Sequence, residues 1–295
     1  MRDIPEAIPK GILHDVEKFI DEALHIQDIG GRPHYRHKAA YDRLSLSFLA
    51  SLDVCDLLHK IYRQIETNWK ARTYRNNPSK ENWRFKPQPK ISPHNKGLEI
   101  KLQKAIIRIR KNASSRDATN WVNHIPTASG LWDHKCDKHR AIDLVHLLPG
   151  KSRYDEAEFI ELKVDRNSGH PLHAAIEVLL YGVLYIFSRR HFKDLQYDGE
   201  NQPLLQAKTI HLVVLAPFTK YYADCKLDCL EMLENKIMGG VERFVQASEG
   251  YKMDFQFQAF PLRFGVGGAN DEDIIQALEK RVKGSRSIWL EKPSA

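Results

Sequence analysis

Cysteine is scarce, with four in 295 residues, which excludes a disulfide framework as the source of stability for a chain of this length. Long apolar runs are missing too. The longest near-continuous one, from Val178 to Phe187, covers ten residues, against roughly eighteen or more for a membrane span. Met1-Arg2-Asp3-Ile4-Pro5-Glu6 has no basic stretch followed by an apolar one, so no secretion signal is expected. There is no Walker sequence, which argues against an ATP motor, and Gly265-Val266-Gly267-Gly268 lacks the strand-loop-helix setting of a phosphate loop. The expectation is a reducing cytoplasmic compartment and no membrane partner. Internal repeats and low-complexity segments are also absent.

What is present is charge of one sign in one place. The chain carries a formal +7. From Lys60 to Lys111 fifteen basic residues face three acidic ones, a local +12 that leaves −5 for the remainder. Tyr62, Trp69, Tyr74, Trp83 and Phe85 are interleaved with these positives. Basic side chains neutralise phosphates and aromatic rings stack on exposed bases, so this segment suits a polyanion. A merely solvated basic face is the plainer alternative.

Apolar residues at helical spacing predict helices near Ile12–His25 and over Ala39–Trp69, the second in two pieces. Asn76-Asn77-Pro78 and the Pro-rich stretch to Pro93 mark an irregular basic linker. The chain thus divides into 1–92, mainly helical and basic, and 93–295, an α/β domain. In the second part a helix is expected over Lys96–Lys111, strands over Ala141–Leu148 and Ala157–Val164, and a helix from Pro171 to about Arg190 that is apolar nearly all round. A strand at Ile210–Ala216, a helix at Asp224–Met238, a strand at Tyr251–Phe260 and a helix at Asp273–Lys283 follow. This order describes a central mixed sheet covered by helices.

Two carboxylates stand out. Asp143 lies within an apolar strand, and Glu161 and Lys163 share one face of the next because strand side chains alternate. If the two strands pair as a hairpin, an aspartate, a glutamate and a lysine converge. Carboxylates, a backbone carbonyl and water are hard oxygen ligands suited to Mg²⁺. Glu177 sits among apolar residues on the following helix and needs a partner, which Lys163, metal-bound water, an arginine or a tyrosine could provide.

These pieces (Ile142-Asp143-Leu144, Glu161-Leu162-Lys163, and Glu177 with Tyr181 on the next helix) resemble the PD-(D/E)xK, or restriction-endonuclease-like, nuclease superfamily over about residues 96–217. Ile142 stands where the motif's proline would be. The resemblance implies a restriction-endonuclease-like core within 93–295 and a Mg²⁺-dependent phosphodiesterase, with Mn²⁺ able to substitute. It makes Asp143, Glu161 and the Leu162 carbonyl metal ligands, and Lys163 the residue that positions or activates water. Glu99 on the first core helix becomes an accessory acid and Glu177 an accessory polar residue. Nucleic acid, DNA ahead of RNA, is the expected partner, contacted by Arg84, Lys86, Lys90, Lys96 and Tyr181, and a homodimer is left open. The alternatives are a nucleic-acid-binding module on the same fold without catalysis, or a scaffold in which the carboxylates of Asp143 and Glu161 point apart.

Three further features stay open. His134, Cys136 and His139 have the residue types of a zinc site, with Cys225 and Cys229 able to complete it from a shared helix face; a chance spacing is the plainer reading. Asp133 and Asp137 are further candidate ligands or simple loop acids. His170 and His173 flank the start of the apolar helix, where they could meet substrate phosphate or serve as capping residues.

Overall fold

A helix stands between each pair of strands that run parallel, and this decides the middle of the sheet. The computed structural model describes residues 11–26, 34–71, 78–90, 97–112, 120–131, 140–246, 250–265 and 267–290. Strands β1 (Trp121–Pro126), β2 (Ala141–Leu147) and β3 (Glu156–Leu162) are antiparallel neighbours. From β3 the chain crosses through helix α6 (Pro171–Arg190) to a parallel strand β4 (Thr209–Pro217), then through α7 (Leu227–Gln246) to a parallel β5 (Lys252–Phe260). Parallel neighbours require such crossovers. A two-residue β6 (Val282–Lys283) closes the edge antiparallel to β5, so the six strands lie in chain order. The protein is an α/β fold with a six-stranded mixed sheet flanked by helices.

Alternation sorts the side chains. Ala157 and Phe159 of β3, Ile210, Leu212 and Val214 of β4, and Phe255 and Phe257 of β5 join the larger core under α6 and α7. Ile160 and Leu162, with Val213 and Leu215, join a second core under α5 (Leu98–Asn112) and α8 (Asp271–Glu279). Helix α6 has the length and apolar composition to cross a membrane, but it is buried between the sheet and other helices.

The outer side of α6 needs a cover, and the N-terminal helices supply it. Helix α4 (Val54–Ala71) packs on α6 and α7, α3 (Leu46–Ser51) on α7, and α1 (Val16–Ala23) on α4; α2 (Lys38–Asp42) lies between α1 and α3 in the chain. One core therefore runs from Ile12 to Ile288, across the division drawn at residues 92 and 93. Aromatics of the basic segment belong to it. Tyr62, Trp69 and Trp83 are buried, and Trp83 donates from Nε1 to Ser188 Oγ at 2.9 Å and stacks on Phe159. The base-stacking expected of these rings is corrected: packing has taken them. Tyr74 lies outside the described residues.

Several boundaries differ from expectation, and the helix expected in two pieces over Ala39–Trp69 is three, α2, α3 and α4. Strand β1 was unread because Asn123 and His124 interrupt its apolar pattern, and His124 adopts φ 54 where β1 and β2 lose one paired position. Helix α7 extends to Gln246. The last amphipathic helix ends at Glu279, and β6 and α9 (Ser285–Leu290) follow it.

Adjacent glycines in α7 give a paired test of this packing. A Cβ on Gly240 would lie 2.5 Å from Val54 Cβ and 3.1 Å from the backbone nitrogen of Cys55, where α4 crosses, whereas one on Gly239 meets nothing within 4 Å. Gly240→Ala is expected to lose about 1–3 kcal/mol through overpacking. Gly239→Ala should gain up to about 1 kcal/mol from helix propensity. Urea unfolding midpoints that move together would contradict the close crossing.

Candidate active site

The ladder between β2 and β3 runs from Leu147↔Ala157 to Leu144↔Ile160. One step further along that register, Asp143 stands across from Glu161, and there the ladder opens. The Leu162 N–H donates to Asp143 Oδ2 at 3.0 Å, so a side-chain oxygen takes the role of a strand carbonyl. The Lys163 N–H turns the other way, to the Leu215 carbonyl of β4 at 2.9 Å. A residue's N–H and C=O point to the same neighbouring strand, so the Leu162 carbonyl faces the Asp143 side.

On the α6 face of the sheet Lys163 gathers the acids. Its Nζ lies 2.6 Å from Glu161 Oε1 and 3.0 Å from Glu177 Oε2. The second oxygen of Glu161 accepts from the Tyr181 hydroxyl at 3.0 Å. Glu177 and Tyr181 are four apart on α6, hence on one side of it, which is why both reach β3. His173, one turn before Glu177, brings Nε2 to 3.5 Å from Glu177 Oε1. Glu99, in the first turn of α5, lies within electrostatic reach of Lys163, Glu177 and Asp165. The structure thus assembles Asp143, Glu161, Lys163, Glu177 and Glu99 from four elements.

Burial dominates the electrostatics, and one lysine answers four acids. Burial and then the Glu99 charge raise the Asp143 carboxyl to about 7, against the pull of Lys163 and the Leu162 N–H. Burial and Asp143 push Glu161 well above the usual carboxylate range. Burial likewise raises Glu99. Glu177 is the exception: burial would raise it, but Lys163 and His173 hold it down at about 2. Burial alone would lower Lys163, yet the carboxylates around it raise it and keep it charged. Such a site has more carboxylate than cation, and its deprotonated form invites further positive charge.

Other expected residues fall elsewhere. Tyr181 is buried, and its hydroxyl is spent on Glu161, so its expected nucleic-acid contact is corrected to positioning that carboxylate. Arg84 pairs with Glu81 at 2.9 Å and Lys86 lies 4.0 Å from the same acid. Lys90 accepts at its carbonyl from Lys104 Nζ. Among the described residues none of the three bonds to the carboxylate cluster, so the structure does not gather them there. Lys96 lies outside the described residues, as do Asp133, His134, Cys136, Asp137 and His139. Cys225 and Cys229 do not share a helix, because α7 begins at Leu227; both are buried free thiols. Among the described residues no three His, Cys, Asp or Glu side chains stand in a metal-holding arrangement.

Sequence reasoning missed the arginines beside the cluster. Glu17 of α1 takes Arg36 Nη2 at 2.5 Å and Arg140 Nη2 at 3.3 Å. Both arginines act electrostatically on His173, and Arg36 also on Glu177. No local pattern marks them, since three distant segments bring them together. The chain matches no family model, and no curated protein or solved structure matches it significantly.

Proposed function

We propose that the protein is a divalent-cation-dependent nuclease of the PD-(D/E)xK type, hydrolysing phosphodiester bonds in DNA on a restriction-endonuclease-like core. The observation that carries this reading is the convergence of Asp143, Glu161, Lys163 and Glu177 at the point where β2 and β3 part. The order of parts also agrees with the resemblance: Glu99 on the helix before the strands, the two carboxylates on successive strands, and Glu177 on the helix that follows.

The donor set fits Mg²⁺ or Mn²⁺. Asp143, Glu161 and the Leu162 carbonyl are hard oxygen donors on one side of β3, and two side-chain ligands with a carbonyl and water suffice for Mg²⁺. Burial first, and the neighbouring acid charges second, raise the carboxyls of Asp143 and Glu161, and a bound cation would favour their ionised forms. When bound, the ion supplies charge to offset the phosphate oxygens and to acidify water.

The protein's own groups do the positioning. Tyr181 fixes one oxygen of Glu161. Lys163 must leave the other oxygen for Glu161 to serve as a ligand, and Glu177 remains its anchor. From there the ammonium can hold a phosphate oxygen or orient attacking water.

Incubation of the purified protein with plasmid and single-stranded DNA, with Mg²⁺, Mn²⁺ or EDTA, tests the reading. Cleavage is expected with either ion and not with EDTA. Failure to cut DNA or RNA with both ions would overturn it. The pH dependence has a definite sign. Below about 7 Asp143 is protonated in the ion-free protein, so cleavage at subsaturating Mg²⁺ should rise as pH rises through that value. Saturating Mg²⁺ should displace the acid limb to lower pH, because metal binding releases the proton. An acid limb that does not move with Mg²⁺ would count against Asp143 as a ligand.

A further inference from the structure

A cavity of about 300 Å³ opens where α6 begins. Arg36, Lys38, Tyr41, Arg166, His170 and Tyr221 are in its wall. Among the described residues the buried Tyr221 Oη has no hydrogen-bond partner, while Tyr41 Oη meets only the Cys225 thiol and the His170 ring donates only towards backbone at residues 35–37, neither with a short bond. Tyr221 is only 4% exposed and His170 only 6%. Buried polar groups are nearly always satisfied, so the orphaned Tyr221 hydroxyl, with the weakly served Tyr41 and His170 beside it on one cavity, points to a missing acceptor.

The chemistry of that acceptor follows from the wall. His170 Nδ1 accepts from the His173 N–H at 3.3 Å, which leaves the ring proton on Nε2 as a donor. Burial and the neighbouring His173 bring this ring to about 4, against the weaker pull of backbone at residues 35–37, so it donates as a neutral imidazole. Tyr41, beside the Cys225 thiol, and Tyr221 offer hydroxyls. Arg36, Lys38 and Arg166 offer charge. Asp42 and Asp224 also line the cavity, with Arg166 pairing to Asp224 at 2.8 Å and Arg36 to Glu17 at 2.5 Å. Lys38 makes no ion pair among the described residues. The first turn of the twenty-residue α6 adds its positive end. A compact anion with several acceptor oxygens suits this set of donors and charges.

The cavity adjoins the carboxylate cluster. Gly169 in its wall packs against His173, whose Nε2 lies 3.5 Å from Glu177 Oε1, and Tyr221 lies within electrostatic reach of Glu161 and Glu177. We propose that this cavity is a phosphate subsite that seats a phosphate group of the nucleic acid beside the carboxylates. The identity of the substrate rests on the nuclease reading; the binding of phosphate does not.

The test uses the full chain in EDTA, titrated by calorimetry and by histidine ring NMR at constant ionic strength. The probes are inorganic phosphate, thymidine monophosphate, and a thymidine dinucleotide without terminal phosphates. Saturable binding of at least one probe is expected, with shifts of the His170 ring. Binding of the dinucleotide assigns the subsite to a backbone linkage; binding confined to the other two assigns it to a terminal phosphate. Arg36→Ala with Lys38→Ala should weaken binding by about tenfold or more, and Tyr221→Phe by about threefold. Lys38→Ala alone, at an exposed position, keeps the test open if the double variant misfolds. No saturable binding of any probe, or binding unchanged in Tyr221→Phe and the lysine variant, overturns the subsite. Phosphate binding without DNA cleavage would retain the subsite and remove the nuclease reading, and cleavage without phosphate binding would do the reverse.

Discussion

Lys163→Ala is expected to lower DNA cleavage by about 10²–10⁴-fold, the range for removing a positioned charge or proton-transfer group from a reacting centre. The substitution has two consequences that separate it from a general loss of fold. It deletes the ammonium from between Glu161 and Glu177, which lie 2.6 and 3.0 Å from it. Those carboxylates then repel each other without relief and become harder to ionise, at a cost in stability. Above about pH 7, where Asp143 ionises in the parent protein, Glu161 also loses the cation that competes with a divalent ion. Isothermal titration with Mn²⁺ at pH 8.5 should therefore show affinity that is maintained or tighter, while turnover collapses. Added Mg²⁺ should raise the melting temperature of the variant at least as much as that of the parent protein. A variant that cuts at the parental rate would remove Lys163 from the chemistry. One that neither cuts nor binds the ion would make it a purely structural residue.

A comparable effect on stability is expected on the opposite face of the sheet. Glu158 of β3 is 1% exposed and accepts from Arg281 Nη2 at 3.0 Å, with His146 Nδ1 at 2.8 Å and Gln258 Nε2 at 3.3 Å. Burial would raise its carboxyl, but the bond with His146 and the Arg281 charge hold it well below the usual range. Arg281 in turn lies over the Trp121 ring, which stacks on His146. Arg281→Met leaves a buried carboxylate without its main countercharge and should cost about 3–5 kcal/mol. Glu158→Met together with Arg281→Met should recover much of that loss, because an apolar pair of similar volume needs no desolvation of charge.

The pH dependence follows from the same depressed carboxyl. Its stabilising contribution is present above the unfolded carboxylate value and is lost as pH falls through the folded one. In Arg281→Met this acid-side loss should shrink, since the folded and unfolded values move together. Urea unfolding between pH 3 and 7 measures both effects. A single variant within about 1 kcal/mol of the parent would show that His146 and Lys283 suffice for Glu158.

Most of the sheet and the heart of the site could be read from local pattern. Asp143 and Glu161 lie on strands whose alternation is plain in the sequence, with Lys163 directly past the end of β3, and a side-chain period of two leaves little freedom in where they point. Glu177 was marked by its isolation in an apolar helix, because a buried acid must find a partner, and that partner is Lys163. Strand β1 escaped because Asn123 and His124 break the pattern on which such reading depends.

Tyr181 shows where local reading stops. Its spacing put it on the same side of α6 as Glu177, but only the depth of the helix against β3 turned a ring expected to meet nucleic acid into a buried clamp on Glu161. The basic segment from Lys60 to Lys111 taught the opposite lesson: its composition suggested contact with a polyanion, while Trp69 and Trp83 were required by the core.

The sequence alone therefore determined which acids and which lysine share the face of one hairpin, since backbone geometry acts over two or three residues. Tertiary structure decided everything that depends on segments far apart in the chain. It placed α4 over α6, brought Glu17, Arg36 and Arg140 beside the cluster, and set Tyr41 and Tyr221 on one cavity. The physical reason is that burying apolar surface fixes which elements meet without regard to their separation in sequence, and polar neighbours are settled only after that packing is complete.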